Sequence, residues 1–306
     1  MFDVHKDLLG LKDLTAEQIN KILDTAKTMK YILQQKNRKT EHLKGKSVVT
    51  LFYENSTRTR LSFELAGKYM GAFTSNITSS GSSVAKGETL IDTARTIDVM
   101  GTDVIIMRHG MSGAPHLVAK NVKASVINAG DGMNEHPTQA LLDLFTMKEK
   151  KKNFEGLKVA IVGDILHSRV ARSNIWGLTK LGAEVSIGAP LTLLPPEIEK
   201  SNINVYSSVQ EAVLDADVVM GLRIQTERQK SGLFPSTGEY ARFFGIDPKR
   251  LTLAKPDALL LHPGPVNRGV ELSSAVVDGN SSLIDEQVTN GVAIRMAVLY
   301  LYTKGE

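Results

Sequence analysis

The chain has no cysteine. That excludes disulfides, thiolate nucleophiles and cysteine-ligated metals. Aromatic residues make up only 6% of the sequence, too few to interleave with a basic face as nucleic-acid readers require. Charge of one sign is also scarce: 37 basic against 33 acidic residues leave a formal charge of +4, a mild excess on a long chain. No apolar run approaches membrane-spanning length, and Met1–Asp7 carries no apolar signal core. A cytoplasmic location without membrane or nucleic-acid partners is therefore expected. The seven histidines show no ligand spacing such as His-Glu-x-x-His, so neither metal nor cofactor is expected.

At 306 residues, the chain exceeds one ordinary core and predicts two domains. Thr15 and Gln18 form a capping box, followed by Ile19, Ile22, Leu23, Ala26 and Met29 on one helical face. Strands are expected at 46–52, 72–77, 103–108 and 124–128, separated by helices, two of which end at Gly71 and Gly101. Pro137 opens a further helix carried by Leu141, Leu142, Leu144, Phe145 and Met147. Lys148, Lys150, Lys151 and Lys152 read as its solvated end, and the lysine run with 153–156 marks a domain boundary. A second series of strands lies near 157–163, 183–188, 203–206, 217–222 and 257–261. The last helix, about 282–303, places Val288, Val292, Met296 and Leu299 on one face. The fold class is α/β: two domains, each a parallel sheet flanked by helices. The division expected is 1–150, completed by the C-terminal helix at 290–306, and 151–289.

Two nucleotide-binding signals fail on inspection. Gly45-Lys46-Ser47 has Thr40 where a P-loop needs glycine, and a strand follows it. The strand ending at Gly163-Asp164 is followed by Ile165-Leu166-His167-Ser168, without the further glycines that let a pyrophosphate approach.

The most informative stretch is Ser56-Thr57-Arg58-Thr59-Arg60. It follows the apolar run Val48–Phe52 and precedes Leu61, Leu65, Ala66 and Tyr69 at helical spacing. It thus sits at a helix start, where unpaired N–H groups and the helix dipole favour an anion. Hydroxyl and guanidinium donors in that place suit a phosphate dianion. The alternative reading of the stretch alone is an N-cap with solvated arginines.

Phe52–Glu64 resembles the carbamoyl-phosphate signature of the carbamoyltransferases. The resemblance implies that Ser56, Thr57, Arg58 and Thr59 cradle the phosphate, and that Arg108, in Met107-Arg108-His109, adds a charge. It also implies that Thr59, Arg108 and His136 donate toward the carbonyl oxygen, and that Gln139 meets the carbamoyl NH2 through its amide oxygen. His136 precedes a helix, where the dipole disfavours a cation, so a neutral imidazole is the physical expectation. Without the family, His136 and Gln139 would read as an N-cap and a surface glutamine.

The Ser/Gly-rich loop at 79–88 holds Ser82 and Lys86. These match the family's residues that reach the neighbouring subunit's site, implying a homotrimer with shared sites, in which Lys86 also meets the amine substrate. Gly163–Ser173 and Leu222–Arg228 resemble the segments of the members that carbamoylate aspartate. By that likeness Arg169 holds one substrate carboxylate, Arg223 and Gln225 the other, and Gly264 and Pro265 in His262–Glu271 contribute backbone. Two separated arginines suit a dicarboxylate amine, although each arginine alone would read as a structural ion pair. Gly264 stands where relatives often have Leu or Ala.

Members acting on ornithine carry a cysteine in the His262 segment and a Ser-Met-Gly segment, both absent here. Another amine such as ornithine is the alternative reading. The resemblance implies transfer of the carbamoyl group from carbamoyl phosphate to L-aspartate in the interdomain cleft, an early step of pyrimidine formation. It leaves open a regulatory chain or a dihydroorotase as partner.

Overall fold

The structure is a computed structural model that describes residues 5–78, 87–196, 198, 203–225 and 236–303. Its contacts separate into two units, Met1–Leu142 with Val288–Glu306, and Asp143–Gln287. Among the described residues, no helix is long and apolar enough to cross a membrane.

The first unit begins with helix α1 (Ala16–Gln34), whose N-terminus carries the expected Thr15–Gln18 capping box. Then come β1 (Ser47–Phe52), α2 (Thr57–Tyr69), β2 (Phe73–Thr78), α3 (Leu90–Val99), β3 (Val104–His109), α4 (Ala114–Ala119) and β4 (Ser125–Asp131). Helix α5 (Pro137–Lys151) leads out of this unit, and α11 (Ile284–Thr303) returns to it. The four strands are all parallel, in the order β2-β1-β3-β4. Strands β1 and β4 are buried along almost their whole length, as in sheets covered on both faces. Strand β2 lies at an edge and is largely exposed, with Phe73 73% accessible.

The second unit contains β5 (Lys158–Val162), α6 (Arg169–Lys180), β6 (Glu184–Gly188), β7 (Asn204–Tyr206), α7 (Val209–Val213) and β8 (Val218–Gly221). It continues through α8 (Thr237–Phe244), α9 (Pro248–Leu251), β9 (Leu259–Leu261) and α10 (Ser274–Val277). Its sheet is parallel throughout, in the order β7-β6-β5-β8-β9. Ala160, Val162, Val209, Val219, Leu260 and Leu272 form part of its core.

All nine expected strands form, in the expected sequence. Three packing expectations do not hold. In α2, Leu61 is 51% exposed, while Thr59, Phe63, Ala66 and Gly67 are buried. The helix is thus rotated toward Phe63, which lies under the Arg295 guanidinium at 5.2 Å. In α11, Val288 is 53% exposed and Val292 half-buried, yet every residue from Ala293 to Leu299 is buried. A helix buried all round has no single apolar stripe to read. Finally, Lys151 is not a solvated helix end: its side chain is 11% exposed and its Nζ lies 2.6 Å from Asp257 Oδ2.

Both sheets share one topological device. In the first, the chain builds outward from β1 to β2, then crosses back to β3 and continues to β4. In the second, it runs from β5 to β6 and β7, then returns to β8 and β9. Connections leave the β1/β3 and β5/β8 pairs in opposite directions. A crevice opens at the carboxyl ends of such pairs, the usual ligand position of open α/β sheets.

Candidate active site

At the β1/β3 switch point, Phe52 and Arg108 are register partners. The segment 56–59 therefore starts α2 beside the end of β3. Ser56 is the N-cap residue, but its side chain makes no capping hydrogen bond. Thr57 and Arg58 are exposed on the first turn, and Thr59 is buried. Arg108 donates from Nη2 to Glu54 Oε1 at 3.3 Å and from Nη1 to the Ala129 carbonyl at 3.3 Å. A fixed guanidinium is preorganised, so little reorganisation is needed when an anion arrives. His109 next to it has its pKa lowered, first by burial, with Glu54 opposing.

His136 and Gln139 are both buried. The His136 carbonyl accepts the N–H groups of Gln139 and Ala140, so it begins α5 with Pro137 as the first helical residue. The approach to this helix is held by carboxylates. Asp131 accepts from Gly113 N at 2.7 Å, Asn128 Nδ2 at 2.8 Å and Glu135 N at 3.1 Å. Glu135 in turn accepts from Leu11 N at 2.7 Å and Lys12 N at 3.2 Å. His136 is thus placed by buried loops, not by a surface cap.

At the β5/β8 switch point, Asp164 follows Gly163 and is fully buried. Its Oδ1 lies 2.8 Å from Nδ1 of His167 and accepts His167 N at 3.1 Å. Its Oδ2 accepts the backbone N–H of Gln225 at 3.3 Å. Gly163 has φ +139°, and a Cβ there would lie 2.7 Å from the Leu222 carbonyl, so only glycine lets the two loops approach. Ser168 caps α6, and Arg169 is its first residue, 4% exposed. Arg223 donates from Nη2 to Gln225 Oε1 at 3.1 Å. Ile224 between them is buried against Leu193 and Tyr240. Burial raises the pKa of Tyr240, keeping its phenol neutral. Gly264 and Pro265 follow β9, with Gly264 at φ +64°.

The first unit therefore brings the 56–59 segment, Arg108 and His136 to the carboxyl end of its own sheet. The second does the same for Arg169, Arg223, Gln225, Gly264 and Pro265. Ser82, Lys86 and the end of the second arginine loop, Thr226–Arg228, lie outside the described residues. Sequence reading gave no role to Glu54, Asp131, Asp164 or His167. Glu54 and Asp164 stand just past the ends of β1 and β5 and Asp131 closes β4, so the three carboxylates were visible, but their partners are set by strand order.

The chain matches two family descriptions in succession. Residues 6–149 match the aspartate/ornithine carbamoyltransferase carbamoyl-P binding domain, and residues 155–302 the Asp/Orn binding domain. It is 75% identical over 299 residues to the aspartate carbamoyltransferase catalytic subunit of Ruminiclostridium cellulolyticum, covering 98% of this chain and 96% of that one. Identity to the subunit of the same name from Acetivibrio thermocellus is 74% over 299 residues, with the same coverage. Among solved structures, Trypanosoma cruzi aspartate transcarbamoylase in complex with carbamoyl phosphate and aspartate superposes with TM-score 0.87 at 29% identity, covering 96% of this chain and 95% of that one. Ornithine carbamoyltransferase from Pyrococcus furiosus gives 0.87 at 32%, covering 98% and 97%. With family matches over residues 6–149 and 155–302 and relatives 75% and 74% identical, the chain belongs to the aspartate/ornithine carbamoyltransferase family.

Proposed function

We infer that the chain transfers the carbamoyl group of carbamoyl phosphate to the amino group of L-aspartate, giving N-carbamoyl-L-aspartate and phosphate. The observation that carries this reading is the difference between the two switch points. One gathers hydroxyls, helix N–H groups and arginines, which suits a phosphate. The other gathers Arg169, Arg223 and Gln225, which suits two carboxylates.

In this reading the first unit binds carbamoyl phosphate and the second binds aspartate. Ser56, Thr57, Arg58 and Thr59 hold the phosphate, joined by Arg108. As the amine attacks, negative charge grows on the carbonyl oxygen, where Thr59, Arg108 and His136 donate hydrogen bonds. Gln139 fixes the carbamoyl NH2. Arg169, Arg223, Gln225 and the Gly264–Pro265 backbone orient aspartate so that its amine meets the carbon, converting a bimolecular encounter into a positioned one. The C–N bond forms, the C–O bond to phosphate breaks, and the departing phosphate accepts the amine's proton. No side chain forms a covalent bond to substrate.

Lys86 and Ser82 complete the site from a neighbouring copy in a homotrimer. The exposed edge strand β2, which runs up to this segment, supports that reading. Assembly with a further, regulatory chain is supported by the relatives' name, catalytic subunit. Thermal unfolding tests the substrate assignment. Carbamoyl phosphate should raise Tm, and succinate should raise it further only when carbamoyl phosphate is present. Stabilisation by ornithine analogues in place of succinate would overturn the aspartate assignment.

A further inference from the structure

A buried histidine outside the groups assigned to the transfer chemistry stands at the turn after β9. His262, 1% exposed, follows Leu261 directly. Its Nδ1 accepts the backbone N–H of Gly264 at 2.9 Å. Because Nδ1 accepts, the ring proton resides on Nε2, which lies 3.4 Å from Oε1 of Glu271. Glu271 is 2% exposed, and the same Oε1 accepts the Asn267 N–H at 2.6 Å, at the far end of the same loop.

The histidine is anchored on its other side as well. Its backbone N–H donates to Gln287 Oε1 at 3.0 Å, and Gln287 Nε2 donates to Asp143 Oδ1 at 2.7 Å. Asp143 Oδ2 accepts Asn174 Nδ2 of α6 at 2.9 Å, the helix that opens with Arg169. Side chains held this way have few alternative rotamers, and the group they orient inherits that precision.

We propose that His262, in the Nε2–H tautomer set by the Gly264 N–H that Nδ1 accepts, is a positioning residue for the amine substrate. It fixes the Gly264 peptide in the left-handed conformation from which the Gly264–Pro265 backbone meets aspartate. The proposal rests on the reading of Gly264 and Pro265 as amine-side contacts. A glycine at this position makes the turn permissive, so a side-chain acceptor for its N–H restricts it in place of a Cβ.

The test exploits the two ring nitrogens. Asparagine can present an oxygen where Nδ1 stands, whereas glutamine reaches the Nε2 position and leaves the Gly264 N–H without its acceptor. His262→Gln should raise the KM for aspartate by roughly tenfold or more, the equivalent of about 1.4 kcal/mol, with a smaller change in kcat. His262→Asn should recover most of that loss. Carbamoyl-phosphate affinity should be unchanged in both. Equal aspartate KM values in the two variants, or a loss of Tm without a KM change, would overturn the proposal. If neither variant folds, Glu271→Leu decides. A raised aspartate KM supports the role, and an unchanged one refutes it. Arg223→Ala runs in parallel: if it too leaves the aspartate KM unchanged, the amine half-site itself is misassigned. If it raises KM while His262→Gln does not, only the role of His262 falls.

Discussion

Gln225 donates its backbone N–H to Asp164 across 61 positions of sequence. The bond joins the loop after β8 to the loop after β5, across the switch point of the second sheet. The same carboxylate holds His167, one residue before the α6 cap. One buried side chain thus sets the spacing between Gln225 and the start of the helix that carries Arg169.

Asp164→Ala should therefore impair aspartate use selectively. Leaving buried donors without their acceptor costs about 1–3 kcal/mol each. The KM for aspartate should rise by about 10- to 100-fold, the equivalent of about 1.4–2.7 kcal/mol. Calorimetry should show carbamoyl-phosphate affinity unaltered, because the residue belongs to the other unit. An unchanged aspartate KM would show that Asp164 does not position the loop.

Arg58→Ala should nearly abolish turnover without unfolding the chain. Arg58 is exposed on the first turn of α2, so its removal leaves no core cavity. Loss of one partner of a desolvated charge pair with the phosphate costs about 2–5 kcal/mol. Measured together, kcat should collapse while Tm stays close to wild type. Near-normal turnover would remove Arg58 from the phosphate cradle.

His109 gives a prediction with a defined sign. Burial lowers its pKa, and Glu54 partly restores it. Its Nδ1 also accepts the Met111 N–H at 2.9 Å, which a protonated ring could not do. Folding thus favours the neutral ring. Its contribution is intact above the ordinary histidine value and is lost as pH falls through that value toward the lower folded one. Glu54→Gln should move the NMR titration midpoint of His109 further down, since it removes the raising charge. An upward movement would contradict the geometry.

A shared active site predicts rescue between inactive chains. Arg58→Ala and Lys86→Ala chains, each nearly inactive, would be denatured together and allowed to reassemble. In a mixed trimer, one interface pairs an intact Arg58 with an intact Lys86 from the neighbour, so activity should return in part. If both residues acted from one chain, every site would lack one of them. Mixed trimers confirmed by native mass but no more active than their parents would rule out sharing.

Several elements were legible because they are local. The Thr15 capping box, the glycines at 71 and 101 with positive φ, and Pro137 at the start of α5 depend on neighbours within a few residues. The apolar runs of β1, β3 and β5 read as strands because a doubly covered parallel sheet buries both faces. The residue types at the two half-sites were visible for the same reason: helix starts and strand ends are marked in the sequence.

The sequence by itself thus determined which segments become strands and helices, and which carry anion-binding groups. Tertiary structure alone decided what those groups are held by. Strand order sets β1 against β3 and β5 against β8, and no periodicity encodes which parallel strands become neighbours. Only that order brings Glu54 to Arg108 and Asp164 to Gln225. Contacts with segments distant in sequence also turn α2 onto Phe63 instead of Leu61 and draw Lys151 to Asp257. The physical reason is range. Caps, turns and apolar runs follow from steric and hydrogen-bonding preferences over a few residues. Charge pairing and helix rotation instead follow from burial against segments tens of residues away.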